Sequence, residues 1–147
     1  MLEPQLELER FLPYRLSVLS NTVSTRISRA YTAQFGLSIP EWRIIAVLAR
    51  FPGLGASEVA DRTAMDKVMV SRAVAKLLKD GRISRKAAAG DRRAVHLSLS
   101  AKGRAIYAKV VPVARGIEAR LASALEPEEG AALDRALTKL MDAARGI

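Results

Sequence analysis

The chain contains no cysteine and a single histidine among its 147 residues. Without thiols it can form no disulfide and cannot sense an oxidant through a thiolate. One imidazole falls short of the several nitrogen or sulfur ligands that a zinc or nickel site needs. No metal or cofactor is therefore expected, and His96 reads as a side chain on the edge of a strand. Aromatics are scarce: three Phe, three Tyr and one Trp. No run approaches the roughly eighteen apolar residues of a membrane span. No basic stretch followed by an apolar core opens the chain, so the expectation is a cytoplasmic protein without a membrane partner. Catalytic patterns are missing as well. There is no G-x-S-x-G and no P-loop, and the Gly90-Asp-Arg-Arg run lacks the glycines and the strand–helix setting of a phosphate cradle. With no nucleophile–base pair and no metal, the chain is not expected to be an enzyme.

What is abundant is positive charge. The formal net charge is +9 and the isoelectric point is near 10.5, which favours anionic partners. Between residues 56 and 99, ten basic residues stand against five acidic ones, so the excess is concentrated in the middle of the chain. Half the residues are hydrophobic and 27% are charged, the balance of a soluble globular domain. The length suits one domain, spanning 1–147.

The basic region has a distinct local grammar. Asp66 is a strong N-cap, because its carboxylate can accept from the orphan amides of a first helical turn. Val70, Val74, Leu77 and Leu78 then recur at helical spacing and predict the inward stripe. Gly81 suits the left-handed residue that ends such a helix. Lys67, Ser71, Arg72 and Lys76 face outward and are donors that a DNA major groove can use. Beyond Gly81, two short strands are predicted, with Val95, Leu97 and Leu99 alternating against His96 and Ser98. Between them Lys86-Ala-Ala-Ala-Gly-Asp-Arg-Arg93 forms a tip of small and basic residues, and Arg85 and Lys86 are among the residues expected to contact DNA. Upstream, a short helix over about 56–62 is predicted, with Val59 and Ala60 inward and Thr63-Ala-Met65 as the turn. Helix, turn, helix and basic hairpin make a winged helix-turn-helix over 51–99, and double-stranded DNA is the expected partner.

The flanks are helical. From about Glu7 to Phe35, Leu12, Leu16, Leu19, Val23, Ile27 and Ala30 mark an apolar stripe, with Pro13 near its start. It reads either as a dimer-forming helix or as a buried core helix. Gly36 breaks it. Ser38 or Ile39 caps the next helix, with Pro40 and Glu41 in its first turn and Trp42, Ile44, Ile45, Val47 and Leu48 largely buried. After the hairpin, Ser100 caps a helix reaching about Leu125, with Pro112 inside it predicting a kink. Glu126-Pro-Glu-Glu129 opens the last helix, whose apolar face is Leu133, Leu137, Leu140 and Met141. The fold class expected is mainly α with a small β-hairpin wing, the reading head set between N- and C-terminal helices over 7–50 and 100–147.

Several of these pieces, in order, resemble the MarR family of bacterial transcription regulators. They are Phe35-Gly-Leu-Ser38 with Pro-Glu-Trp42, Ser57-Glu-Val-Ala60, Met65-Asp-Lys67 with Val70-Ser-Arg72, and Asp91-Arg-Arg93-Ala94 with Leu97-Ser-Leu-Ser100 and Lys102-Gly103. The resemblance implies a homodimer on a palindromic operator, often a repressor, with an effector pocket between the dimerisation helices and the reading head. It implies that Asp66 to Lys76 enter the major groove, that Arg93 is the wing-tip arginine of the minor groove, and that Asp91 holds that tip in shape; Arg92 lies beside them. Arginine in a narrow minor groove is favoured by the negative potential there on general grounds. Gly55 replaces the Ser or Thr cap of many members. Arg82 replaces a common hydrophobic residue and adds a phosphate contact while losing some core. Val68 and Met69 stand where small polar residues are usual, and favour thymine methyl contacts.

For the effector, Phe11, Tyr14, Trp42 and Tyr107 supply aromatic surface near the helices that would wall such a pocket, and Arg15 and Arg43 could receive a carboxylate. A small aromatic acid or its thioester fits that set, whereas Trp42 could equally pack in the core with both arginines solvated. The competing reading is an architectural nucleic-acid-binding protein with no effector, which would share the basic reading head and the salt-sensitive binding. Effector release is expected to work by population shift, with the operator selecting reading heads about 34 Å apart.

Overall fold

Helix boundaries in this chain follow from local chemistry, and the computed structural model shows them for residues 3–88 and 91–147, with side chains for all but residues 88 and 91–94. Contacts divide the chain into two compact units, Met1–Val110 and Val111–Ile147.

In the first unit a short 3-10 turn, Leu8–Arg10, precedes α1 (Leu12–Phe35). The expected single helix from Glu7 is thus interrupted, because Pro13 has no amide to give and fits only the first turn of a helix. Gly36 ends α1 in the left-handed region at φ 62°, and its amide donates to the carbonyl of Thr32. Ser38 caps α2 (Ile39–Arg50) through a reciprocal box: the Glu41 amide donates to Ser38 Oγ, and the Ser38 amide reaches Glu41 Oε1. Gly55 begins α3 (Ala56–Thr63) with no side-chain cap, and Ala64 ends it at φ 56°. The Thr63 hydroxyl donates back to Val59 O at 2.7 Å, so its one buried polar group is satisfied within the helix. The turn delivers Asp66, whose Oδ1 accepts from the Met69 amide at 2.8 Å to start α4 (Lys67–Lys79). Gly81 follows at φ 72°.

The hairpin pairs β1 (Ile83–Ala88) antiparallel with β2 (Asp91–Leu99), in register from Ile83 opposite Leu99 to Ala87 opposite Val95. Pairing then jumps to Ala88 opposite Asp91. The strands therefore run further towards the tip than the alternation of Val95, Leu97 and Leu99 alone suggests. Leu97 is the anchored residue. Its amide donates to Leu54 O at 2.8 Å, and its carbonyl accepts from Gly53 at 3.0 Å, fixing the base of the wing to the loop before α3. Leu97 and Leu99 are buried as expected, while Val95 stays exposed.

The core of this unit gathers Tyr31 and Leu37 from the end of α1, Ile44, Ile45 and Leu48 from α2, Val59 from α3, Val70 and Leu77 from α4, and Ile83 and Leu97 from the hairpin. α2 packs on α3, α4 and β2, so it is the central helix of the reading head. The N-terminal half of α1 contributes nothing to this core: Leu12, Leu16 and Leu19 are exposed.

α5 (Ala101–Ala122) begins in the first unit. Its start is bolted to the end of α4. Ser100 Oγ accepts from the Gly103 amide and donates to Gly81 O at 2.6 Å, and Lys102 Nζ donates to Asp80 O at 2.8 Å. Gly103 lies against the Arg82 carbonyl so closely that a Cβ there would collide with backbone.

The second unit holds the end of α5, with Pro112 inside it, and α6 (Pro127–Arg145). The Glu126 amide donates to Glu129 Oε1 at 2.9 Å, and Pro127 occupies the first turn. Leu133, Leu137, Leu140 and Met141 form one apolar face, and all four are exposed in the single chain.

Candidate nucleic-acid interface

The outward face of α4 is built by what its inward face buries. Val70, Ala73 and Leu77 are fixed in the core, which leaves Lys67, Val68, Met69, Ser71, Arg72 and Lys76 exposed. Asp66 satisfies an orphan amide of the first turn and so tethers the start of α4. A concavity of about 380 Å³ runs along one side of α4, walled by Ser38, Pro40, Asp66, Val68, Met69 and Arg72. Ser38 and Pro40 thus stand beside Val68, Met69 and Arg72, which the sequence did not reveal, because the pairing of the α2 start with α4 is tertiary.

Lys76 is engaged. Its ammonium donates to Asp80 Oδ2 at 2.7 Å, one helical turn on. That hydrogen bond holds the Asp80 carboxyl below the ordinary carboxylate range. Both groups remain in reach of solvent, so a phosphate could compete for the lysine.

On the wing, Arg85 and Lys86 are exposed on β1 and, as neighbours in a strand, leave it on opposite faces. Arg85 lines a cleft of about 480 Å³ with Ser57, Glu58, Val74, Leu78 and His96, between the wing and the two helices of the reading head. Lys86 lies opposite His96 in the register. Asp91, Arg92 and Arg93, expected at the wing tip, lie outside the described side chains.

Arg82 corrects the expectation. It was expected to reach a phosphate and to cost the core a hydrophobic residue. Its guanidinium is instead turned inward, with only 14% of the side chain exposed, 3.9 Å from Glu41 Oε2. A second guanidinium nitrogen donates to Phe35 O at 3.3 Å. The reason is electrostatic: Glu41 is itself 8% exposed at its side chain, and a buried carboxylate requires a counter-charge. Glu41, chosen by sequence only for its helix-dipole position, therefore does two jobs, in the cap of α2 and as the partner of Arg82. The signal available in sequence was weak, namely a charge wedged between a helix-ending glycine and the buried Ile83.

The aromatic residues divide. Trp42 stacks on Tyr107, centroids 5.8 Å apart and planes 19° from parallel, and Tyr31 packs edge-to-face with Trp42 at 5.5 Å. Burial pushes the Tyr31 phenol up from its usual value. Next to this cluster, Leu48, Ala49, Pro52, Leu99, Arg104 and Tyr107 enclose a cavity of about 300 Å³. Arg104 was missed by the sequence reading. Phe11, Tyr14 and Arg15 are not gathered here: they are exposed at the far end of α1, with Tyr14 about 25 Å from Tyr31 by helical rise. Arg43 projects outward from α2 and is exposed.

Among the described residues there is no His, Asp and Glu group able to hold a metal ion, and no helix is long and apolar enough to cross a membrane.

This arrangement has close counterparts. The sequence profile of the MarR family matches residues 35–94. The crystal structure of the MarR family transcriptional regulator SPO1453 from Silicibacter pomeroyi DSS-3 is 30% identical, covering 95% of this chain and 99% of that one with a TM-score of 0.81. The chain belongs to the MarR family. A MarR/EmrR family regulator from Acinetobacter sp. ADP1 matches with a TM-score of 0.89 at 28% identity, covering 97% of this chain and 100% of that one. The HTH-type transcriptional repressor Rv2887 of Mycobacterium tuberculosis is 29% identical over 131 residues, 88% of this chain and 91% of the relative. MarR membership makes this a DNA-binding transcriptional regulator with a winged helix, and it gives α4 and the hairpin their names: recognition helix and wing.

Proposed function

We propose that this MarR-family chain is a homodimeric repressor that reads a palindromic operator with α4 of each protomer and leaves it when a small aromatic acid or its thioester binds. The observation that carries the DNA reading is α4 itself, capped by Asp66 and presenting Lys67, Ser71 and Arg72 to solvent while its opposite side locks into the core. Such a helix lies in a major groove with its N-terminal residues at the base edges. Lys76, Arg85 and Lys86 extend the cationic surface for phosphates. Arg93, Arg92 and Asp91 are assigned to the minor groove from the family resemblance.

Two faces support the dimer. The stripe of Leu12, Leu16 and Leu19 on α1 and that of Leu133, Leu137 and Met141 on α6 are each exposed in the single chain, and contiguous apolar surface of this kind marks an interface. The relative from Mycobacterium tuberculosis, named a repressor, supports the sign of regulation. For the effector, the support is the stacked Trp42–Tyr107 pair beside a cavity carrying Arg104, at the lower end of the size range of small-molecule pockets. Arg43, exposed on the outer side of α2, does not line that cavity. Phe11, Tyr14 and Arg15 can join only if a partner protomer brings them.

The test is a gel-shift titration against the DNA flanking the gene, with excess competitor DNA. A discrete complex that survives competitor, and dissolves on addition of an aromatic acid, is the expected result. A smear that salt abolishes would replace this reading with the architectural one.

A further inference from the structure

The outermost ridge of α4 is the part that would go deepest into a groove, and its composition is unusual for a surface so rich in lysine and arginine. Helical rotation sets the ridge. With Val70, Ala73 and Leu77 buried, the positions half a turn away are Val68, Arg72 and Ala75, and all three are exposed. Val68 is 63% exposed, and Met69 beside it is 43% exposed. Neither carries a donor or an acceptor for a base edge, and neither contributes to the core. Lys67, Arg72, Lys76 and Lys79 surround them, so the surface is complementary to an anionic duplex and not to a second apolar face.

On the major-groove edges of the four base pairs, one feature rewards an aliphatic side chain: the 5-methyl group of thymine. We infer that Val68 reads a thymine methyl in each half-site, with Arg72 taking a guanine nearby; this rests on the DNA reading proposed above. Geometry sets the spacing. Val68 and Arg72 are one turn apart, about 6 Å along the helix. Against a rise of about 3.4 Å per base pair, the thymine lies about two base pairs from the guanine.

The experiment starts by selecting a binding site from a random duplex pool with the full-length protein. Single thymine-to-deoxyuridine replacements in each half-site, which remove only the methyl, are then titrated by fluorescence anisotropy. One position per half-site should weaken binding about fourfold, and about fifteenfold when both half-sites carry it, the loss expected for one buried methyl each. A Val68→Ser protein should bind the thymine and deoxyuridine operators equally well. Because Val68 is exposed, that variant should keep the fold. If a site is enriched but no deoxyuridine weakens binding as much as twofold, or if Val68→Ser keeps the full sensitivity, the thymine assignment is wrong while the DNA reading stands. If no sequence is enriched at all, the DNA reading falls and takes this inference with it.

Discussion

At the scale of single residues, the Arg82–Glu41 pair shows how burial decides a side chain's job. At 3.9 Å the two groups are close enough to attract but too far apart for a hydrogen bond, and among the described residues Glu41 Oε2, Arg82 Nε and Arg82 Nη1 have no hydrogen-bond partner. Such a pair is costly to break and contributes little once made. Glu41→Ala should therefore destabilise the fold by about 3–5 kcal/mol, since it strands a buried cation and removes half of the α2 capping box. Arg82→Leu added to Glu41→Ala should recover most of that loss. Denaturant melts of both single variants and the double variant check this, and costs that simply add would show that the two charges are not coupled. Gly103 makes a second case. Alanine there would gain about 1 kcal/mol of helix propensity but would drive a Cβ into the Arg82 carbonyl. The collision wins, because backbone cannot swing aside, and Gly103→Ala should lower stability by roughly 2 kcal/mol in the same melts.

Elements in this chain are set by their ends, and that explains how much of the fold was legible. Ser38, Asp66, Gly36 and Gly81 act within four residues of themselves, so their caps could be read directly and appear as expected. Of the inward stripe read for α4, Val70 and Leu77 are buried, while Val74 and Leu78 are half-buried and line the cleft beside the wing. What could not be read was tertiary: that Arg82 turns towards α2, that Ser38 and Pro40 flank the recognition helix, and that Arg104 joins Tyr107 at a cavity. The proposed effector residues were the least legible, because aromatic and basic letters near a helix say nothing of which turn they share, and Phe11 and Tyr14 prove to be at the opposite end of α1 from Tyr31. For the recognition helix, Arg72→Ala should cost about 1–3 kcal/mol of operator affinity and relax the preference at one base pair per half-site. Competition by operators mutated one position at a time measures it; equal weakening on every sequence would reduce Arg72 to a phosphate contact. Within α4, Asp66→Ala should cost about 1 kcal/mol of stability and fray the turn that carries Val68.

For the whole molecule, charge and burial set the response to solution conditions. A net charge of +9 makes DNA affinity fall steeply with salt, with one counterion released for roughly each phosphate neutralised. Stability has its own limits in pH. The Tyr31 phenol is raised by burial, so its contribution is complete below the ordinary tyrosine range, about pH 10, and is lost as pH climbs from there through the folded value. Asp80 works in the other direction: its lowered carboxyl adds stability above the ordinary carboxylate range and loses it only as acid passes below. Thermal melts across that range should therefore fall off at the alkaline side as tyrosine ionises. A Tyr31→Phe protein should keep its melting temperature there, and an identical alkaline loss in both would assign the effect elsewhere.

The Arg82 contact to Phe35 also spans 47 residues of sequence, and this has a bearing on the order in which the protein comes together on the ribosome. A chain emerging N-terminus first has α1 and α2 complete long before residue 82 leaves the exit tunnel. During that interval Glu41 has no partner cation, so the contacts that join the last turn of α1, the start of α2 and the root of the wing close only after residue 82 has emerged.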